Sequence, residues 1–127
     1  NLLRIPDGVS FEDAAALPVA YGTAHRMMVK RGGVKAGERV LILGASGGVG
    51  TCCVMLARQA GAHVIAAASS EAKGKRLLEI GAHEWINYAE TDFMKEIWSR
   101  FGKPARRGPD AGVHVVVNFT GGDTWVP

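Results

Sequence analysis

From about position 40 the chain alternates short, continuous apolar runs with longer mixed stretches, and glycines punctuate the changes. The run Val40, Leu41, Ile42, Leu43 predicts a buried strand, and a helix is predicted over 49–60, stopped by Gly61. A second apolar run, 64–67, is followed by a predicted helix over 71–80, weakened by Gly74 and closed by Gly81. A short strand at 85–87 precedes a helix over 92–100, with Phe93 and Ile97 on one face and Met94 and Trp98 beside them. A polar loop rich in Gly, Pro and Arg leads to a fourth strand, 113–119, apolar except for His114 and Asn118. Strands that are apolar throughout, each followed by a helix, indicate a parallel sheet covered on both faces. Right-handed crossovers then give an α/β, three-layer, doubly wound sheet of about four strands in the order 3-2-1-4.

Residues 1–33 have a different pattern and read as a helical lead-in to the domain at 34–127. Pro6-Asp7-Gly8 marks a turn, and Ser10 can cap a helix starting at Phe11, with Glu12 and Asp13 favourable in its first turn. Pro18 is expected to interrupt that helix and start a second one, which runs to about Arg31 before Gly32-Gly33.

Charge and cysteine content narrow the function classes. A net charge of +3 over 127 residues, with both signs interspersed, carries no nucleic-acid footprint. No apolar run has the length of a membrane span, and Asn1 is not followed by a charged-then-apolar leader. Adjacent Cys52 and Cys53 cannot readily bridge each other and lack C-x-x-C spacing. They are expected as small, buried helix residues, and reduced thiols fit a cytoplasmic protein.

The most informative stretch is 44–50, Gly-Ala-Ser-Gly-Gly-Val-Gly, between the first strand and the first helix of the alternating region. Gly47 and Gly50 match the second and third glycines of G-x-G-x-x-G, with Ala45 at the first. Such spacing lets the backbone turn sharply and approach a pyrophosphate, which the free N–H groups of the helix start then face. A ligand-free turn would not need it, and no Gly-Lys-Ser/Thr follows to make a P-loop. The cofactor type is read from the end of the second strand, where NAD-selective folds carry an acid for the ribose 2′-hydroxyl. Here Ala68, Ser69 and Ser70 stand instead, and Lys73 and Arg76 follow, a set suited to a 2′-phosphate, hence NADP(H). Either cation alone would pass for an ordinary solvated helix face.

The segments Ala20-Tyr21-Gly22-Thr23-Ala24, Ala36-Gly37-Glu38-Arg39-Val40, the 44–50 turn, Gly81-Ala82, Ile86-Asn87-Tyr88, Asp92-Phe93 and Gly121-Gly122 together resemble the medium-chain dehydrogenase/reductases. The likeness is greatest to quinone oxidoreductase-like members and to those labelled zinc-binding alcohol dehydrogenases, and it covers nearly the whole chain. It implies a partial Rossmann-type cofactor-binding domain, with a GroES-like catalytic domain and the last sheet strands lying outside this sequence. It further implies that Ser69, Lys73 and Tyr88 hold the adenosine 2′-phosphate, that Ala45, Ser46, Gly47, Gly48 and Val49 form the pyrophosphate turn, and that 118–122, with Asn118, lies near the nicotinamide. In zinc-dependent members a cysteine ligand stands four residues before the threonine matching Thr23. That position is Val19, which cannot bind zinc, and His25 is out of register, so a catalytic zinc is not expected.

The activity implied is hydride transfer from NADPH to an enone, quinone or enoyl-thioester, a small-molecule substrate, by a full-length homodimer or homotetramer. No acid or base is assigned within the 127 residues, which are expected to be inactive alone. A zinc-dependent alcohol dehydrogenase and a non-catalytic NADP(H)-binding module are the competing readings. A ligand-free interaction module fits least, because the glycine turn is intact.

Overall fold

The computed structural model describes residues 2–103 and 111–122, so much of the polar loop after the last helix lies outside it. A single parallel sheet is built from β1 (Arg39–Ile42), β2 (His63–Ala68), β3 (Glu84–Asn87) and β4 (Val115–Val117) in the order β3-β2-β1-β4. The helices are α1 (Phe11–His25), continued by a wider π-helical segment (Arg26–Arg31), then α2 (Gly48–Gln59), α3 (Glu71–Glu79) and α4 (Phe93–Phe101). This is the expected doubly wound, three-layer topology.

Alternation along each strand builds two separate cores. Val40, Ile42, Val64, Ala66 and Val117 face one side, where they meet Met28 of the π-helical segment, Cys53, Val54 and Ala57 of α2, and Leu77 of α3. Leu41, Leu43, Ile65, Ala67 and Ile86 face the other and meet Ile97, Phe93 and Trp98 of α4. Both faces of β1 and β2 are therefore dry, which is why their sequences are apolar without interruption. Cys52 and Cys53 are both buried and unpaired. Burial and the neighbouring Cys52 push the Cys53 thiol up to about 11.

Three expectations need correction. Pro18 does not break the first helix, which runs through it from Phe11 to His25 with Ser10 as its cap. The proline is exposed, so the Ala14 carbonyl that it leaves without a helical donor stays within reach of water. The fourth strand has three residues rather than seven. Its apolar run is cut at one end by Asn118, whose Oδ1 turns back to accept from the Thr120 N–H (3.1 Å) and hydroxyl (3.0 Å). Gly74 is no mere weakness in α3: a Cβ there would lie 2.2–2.4 Å from three indole atoms of Trp85.

The other limit on β4 belongs to a device used twice at the amino-terminal edge of the sheet. His114, just before β4, donates its N–H to the Arg39 carbonyl and accepts the Arg39 N–H at its own Nδ1, both at 2.9 Å. His83, just before β3, makes the same reciprocal pair with Val64, again at 2.9 Å in each direction. Each imidazole stands where a further strand carbonyl would and satisfies an edge donor. Each needs an unprotonated Nδ1. Arg58 sits against His83 Nε2, His63 stacks on the ring at 4.7 Å, and Glu84 accepts from His63 (2.6 Å) and from Arg100 (2.8 Å).

Burial, then the charges of Arg58 and His63, hold the His83 pKa below its usual 6.5, against an opposing pull from Glu84. A base held below its unfolded value contributes stability that is complete above pH 6.5 and lost as pH falls through the folded value. The urea midpoint is thus expected to drop between pH 7 and pH 5, and His83→Asn to flatten that slope. A midpoint independent of pH over this window would refute the role given to the ring. Glu84 acts in the same direction at lower pH. Burial alone would raise its carboxyl, but hydrogen bonds from His63 and Arg100 outweigh it and hold the carboxyl below 4.5.

Candidate cofactor-binding site

The opposite, carboxyl-terminal edge of the sheet carries the candidate site. Strand order reverses between β1 and β4, so the loops after them leave in different directions and open a crevice. Gly44 turns the chain out of β1 at φ +66°, and a Cβ there would also strike the Thr120 side chain at 2.6 Å. Ala45 is fully buried and donates its N–H to the Ala67 carbonyl (3.1 Å), so it anchors the turn from inside the fold. Gly47 closes the turn by donating to the Gly44 carbonyl (3.1 Å) and stands at the cap of α2.

The three later glycines have different causes. A Cβ on Gly50 would meet the Gly44 and Ala45 carbonyl oxygens at 2.5 and 2.6 Å, so this glycine lets the helix lie against the turn. Gly47 has φ −81°, open to any residue, and its Cβ would touch only the Gly44 carbonyl at 3.5 Å. A Cβ on Gly48 would touch nothing within 4 Å. Neither backbone conformation nor internal packing requires glycine at 47 or 48; what their missing side chains leave is open surface at a helix start. Ser46, Gly47 and Gly48 are exposed, and Val49 is half-buried.

Helix capping separates the same edge from the rest of the molecule. Ser10 caps α1 and Asp92 caps α4 by accepting backbone N–H bonds, whereas α2 and α3 have no side-chain cap, although Ser70 stands at the cap of α3. The first N–H groups of α2, including those of Gly48 and Val49, thus have neither a helical acceptor nor a side-chain cap. Residues this open, with a positive helix end and no carboxylate on the turn, fit a dinucleotide pyrophosphate.

The structure brings Ser69 and Lys73 together: Lys73 Nζ donates to Ser69 Oγ at 3.3 Å, across one turn at the start of α3. Lys73 shares a cleft of about 260 Å³ with Ser46 of the glycine turn, and Thr51 and Arg76 complete its polar lining. Tyr88 is not part of that cleft. Its N–H donates to the Ala68 carbonyl (3.1 Å), and Tyr88 lines a second cleft, of about 210 Å³, with Leu43, Gly44, Phe93 and Thr120. In the sequence Phe93 is marked as an apolar-face residue and part of a family segment, and Thr120 as part of the 118–122 stretch, but neither as a member of this cleft. Asn118 itself lies against the π-helical segment, lining a groove with Met27 and Arg31. Val19 and His25 are both exposed on α1, and among the described residues no three His, Cys, Asp or Glu side chains converge on a metal position.

Residues 48–126 match the family described as zinc-binding dehydrogenase. The chain belongs to that family. Within it the similarity runs to quinone oxidoreductase-like members of the medium-chain dehydrogenases. A quinone oxidoreductase of Pseudomonas syringae pv. tomato superposes with a TM-score of 0.85 at 35% identity, over 98% of this chain and 36% of that one. The CurK enoyl reductase gives 0.77 at 36% identity, over 96% and 34%. The quinone oxidoreductase of Thermus thermophilus, whose structure is also known in complex with NADPH, gives 0.73 at 35% identity, over 96% and 37%. The chain therefore spans about a third of the length of these oxidoreductases.

Proposed function

We propose that this chain is the NADP(H)-binding part of an oxidoreductase that reduces an enone, quinone or enoyl-thioester. The observation that carries the reading is the open glycine surface at the start of α2, next to Ser46, which shares a cleft with Lys73 and Arg76, with no carboxylate at the end of β2. When bound, the dinucleotide supplies the hydride, and the protein supplies position and electrostatics.

In this reading the backbone N–H groups around Ser46, Gly47, Gly48 and Val49 hold the pyrophosphate, with Ala45 fixing the turn beneath them. Ser69, Lys73 and Tyr88 bind the 2′-phosphate. Asn118 shapes the loop beside the nicotinamide by holding Thr120. The quinone oxidoreductases and the enoyl reductase among its neighbours support the substrate class, since both names denote reduction of a conjugated acceptor. No acid or base is assigned here, and the chain alone is proposed to bind cofactor without turnover.

Calorimetric titration with NADPH and NADH tests the reading. Tighter binding of NADPH is expected, and Lys73→Ala should weaken it by about tenfold, roughly 1.4 kcal/mol, with little effect on NADH. Equal affinity for the two, or a preference for NADH, would sink the cofactor assignment and leave the fold untouched.

A further inference from the structure

At the amino-terminal edge of the sheet, far from the glycine turn, the His83 ring has two sides with different duties. A neutral imidazole has one N–H and one lone pair. The lone pair at Nδ1 accepts the Val64 N–H at 2.9 Å. That donor belongs to a fully buried residue and lies just beyond the β2–β3 ladder, which begins at Ile65 and Glu84. It has a stronger claim on the ring than an exposed guanidinium, which water can also serve. The ring proton therefore sits on Nε2, the atom that faces Arg58 Nη1. A guanidinium carries donors only. Two donors, one of them charged, are thus aimed at one place, and only an acceptor satisfies both. We propose that the Arg58 guanidinium and the His83 Nε2–H form a binding site for a carboxylate.

The surroundings fix both donors and select the charge. The Arg58 stem lies over Gly81, where a Cβ would meet its Cγ at 3.1 Å, and His63 stacks on the His83 ring at 4.7 Å. Arg58 and His83 are both exposed, so a ligand reaches them from solvent and the guanidinium head can pivot on its stem to admit an oxygen. Glu84, close enough for its charge to act on His83, is already taken up by His63 (2.6 Å) and Arg100 (2.8 Å). Among the described residues Arg58 has no carboxylate partner. A carboxylate brings one negative charge to one guanidinium, and two oxygens, one for each donor. A phosphate dianion would bring twice the charge to the same single cation, beside Glu84.

The probe is acetate, exchanged for chloride at neutral pH and constant ionic strength, with inorganic phosphate as the comparison. The readout is the pair of His83 ring-nitrogen NMR signals, identified by their loss in His83→Asp. The Nε2 signal is expected to move saturably with acetate, and Arg58→Gln should weaken the apparent affinity by about fivefold or more. His83→Asp supplies a carboxylate of its own to Val64 and Arg58. Acetate should therefore raise the melting temperature of the parent chain but not of that variant. Circular dichroism checks that both variants fold. A parent ring protonated at Nδ1, a His83 signal that acetate leaves in place, or a response that survives Arg58→Gln unchanged overturns the inference. So does a phosphate response at His83 larger than the acetate one. None of these outcomes bears on the NADP(H) reading, whose site lies at the other edge of the sheet.

Discussion

Gly50→Ala is expected to cost this chain about 3 kcal/mol of stability, whereas Gly47→Ala three residues away costs less than about 1 kcal/mol. The two glycines belong to one motif but answer to different neighbours. At Gly50 a methyl group would sit 2.5–2.6 Å from two backbone carbonyl oxygens of the turn. Neither can move without pulling β1 away from β2, because Ala45 is hydrogen-bonded to Ala67. At Gly47 the same methyl meets one carbonyl at ordinary contact distance. Its effect should instead be on the ligand. On the NADP(H) reading, the pyrophosphate must come within reach of this backbone, and Gly47→Ala should weaken cofactor binding by about tenfold or more with an almost unchanged melting temperature. Thermal unfolding and calorimetry on the two variants separate the effects. A Gly50→Ala variant as stable as the parent would show that the tight approach of α2 to the turn is not what holds this edge together.

Gly74→Ala should also destabilise, by about 2 kcal/mol, although the substitution favours the helix by about 1 kcal/mol. The reason is the indole of Trp85, packed flat where the methyl would go. A ring is rigid, and moving it disturbs β3, whose Ala66 and Ala68 neighbours on β2 belong to the same core. Trp85→Leu alone should be costly, by about 3 kcal/mol, for the volume it removes. In the double variant the two losses should fall well short of their sum, since the smaller side chain leaves room for the methyl. Urea denaturation of the four proteins gives the coupling directly. A stabilising Gly74→Ala, or strictly additive losses, would contradict the packing described.

The order of strands was legible because it follows from a pattern that hydropathy preserves: apolar runs without alternation, each separated by one helix. What depended on single side chains was not. The persistence of α1 through Pro18 goes with the exposure of that turn, and the shortness of β4 with Asn118 bending back to Thr120. Gly74 looked like a poor helix residue because its partner lies eleven positions away in another element. The glycine turn was readable because its spacing encodes backbone geometry, whereas the pairing of Ser69 with Lys73 came from the resemblance and not from spacing. That Tyr88 lines a different cleft from Lys73 was not readable, since it depends on how the chain leaves β3. The paired histidines were likewise invisible: nothing local marks a ring that will close on the main chain of a neighbouring strand.

The sheet is dressed unequally. One face lies under α1, the π-helical segment, α2 and α3, while among the described residues α4 alone covers the other. Detaching α4 would expose only the smaller core and leave β1 and β2 paired beneath the other layer. Opening from the first face would dissolve most of the buried structure at once. The protein therefore has two thresholds of unfolding: a low one for α4, and a higher one, the global one, for β1, β2 and α2. Amide protons of α4 should trade with solvent while those of the central strands remain locked, so that the molecule breathes from one side only.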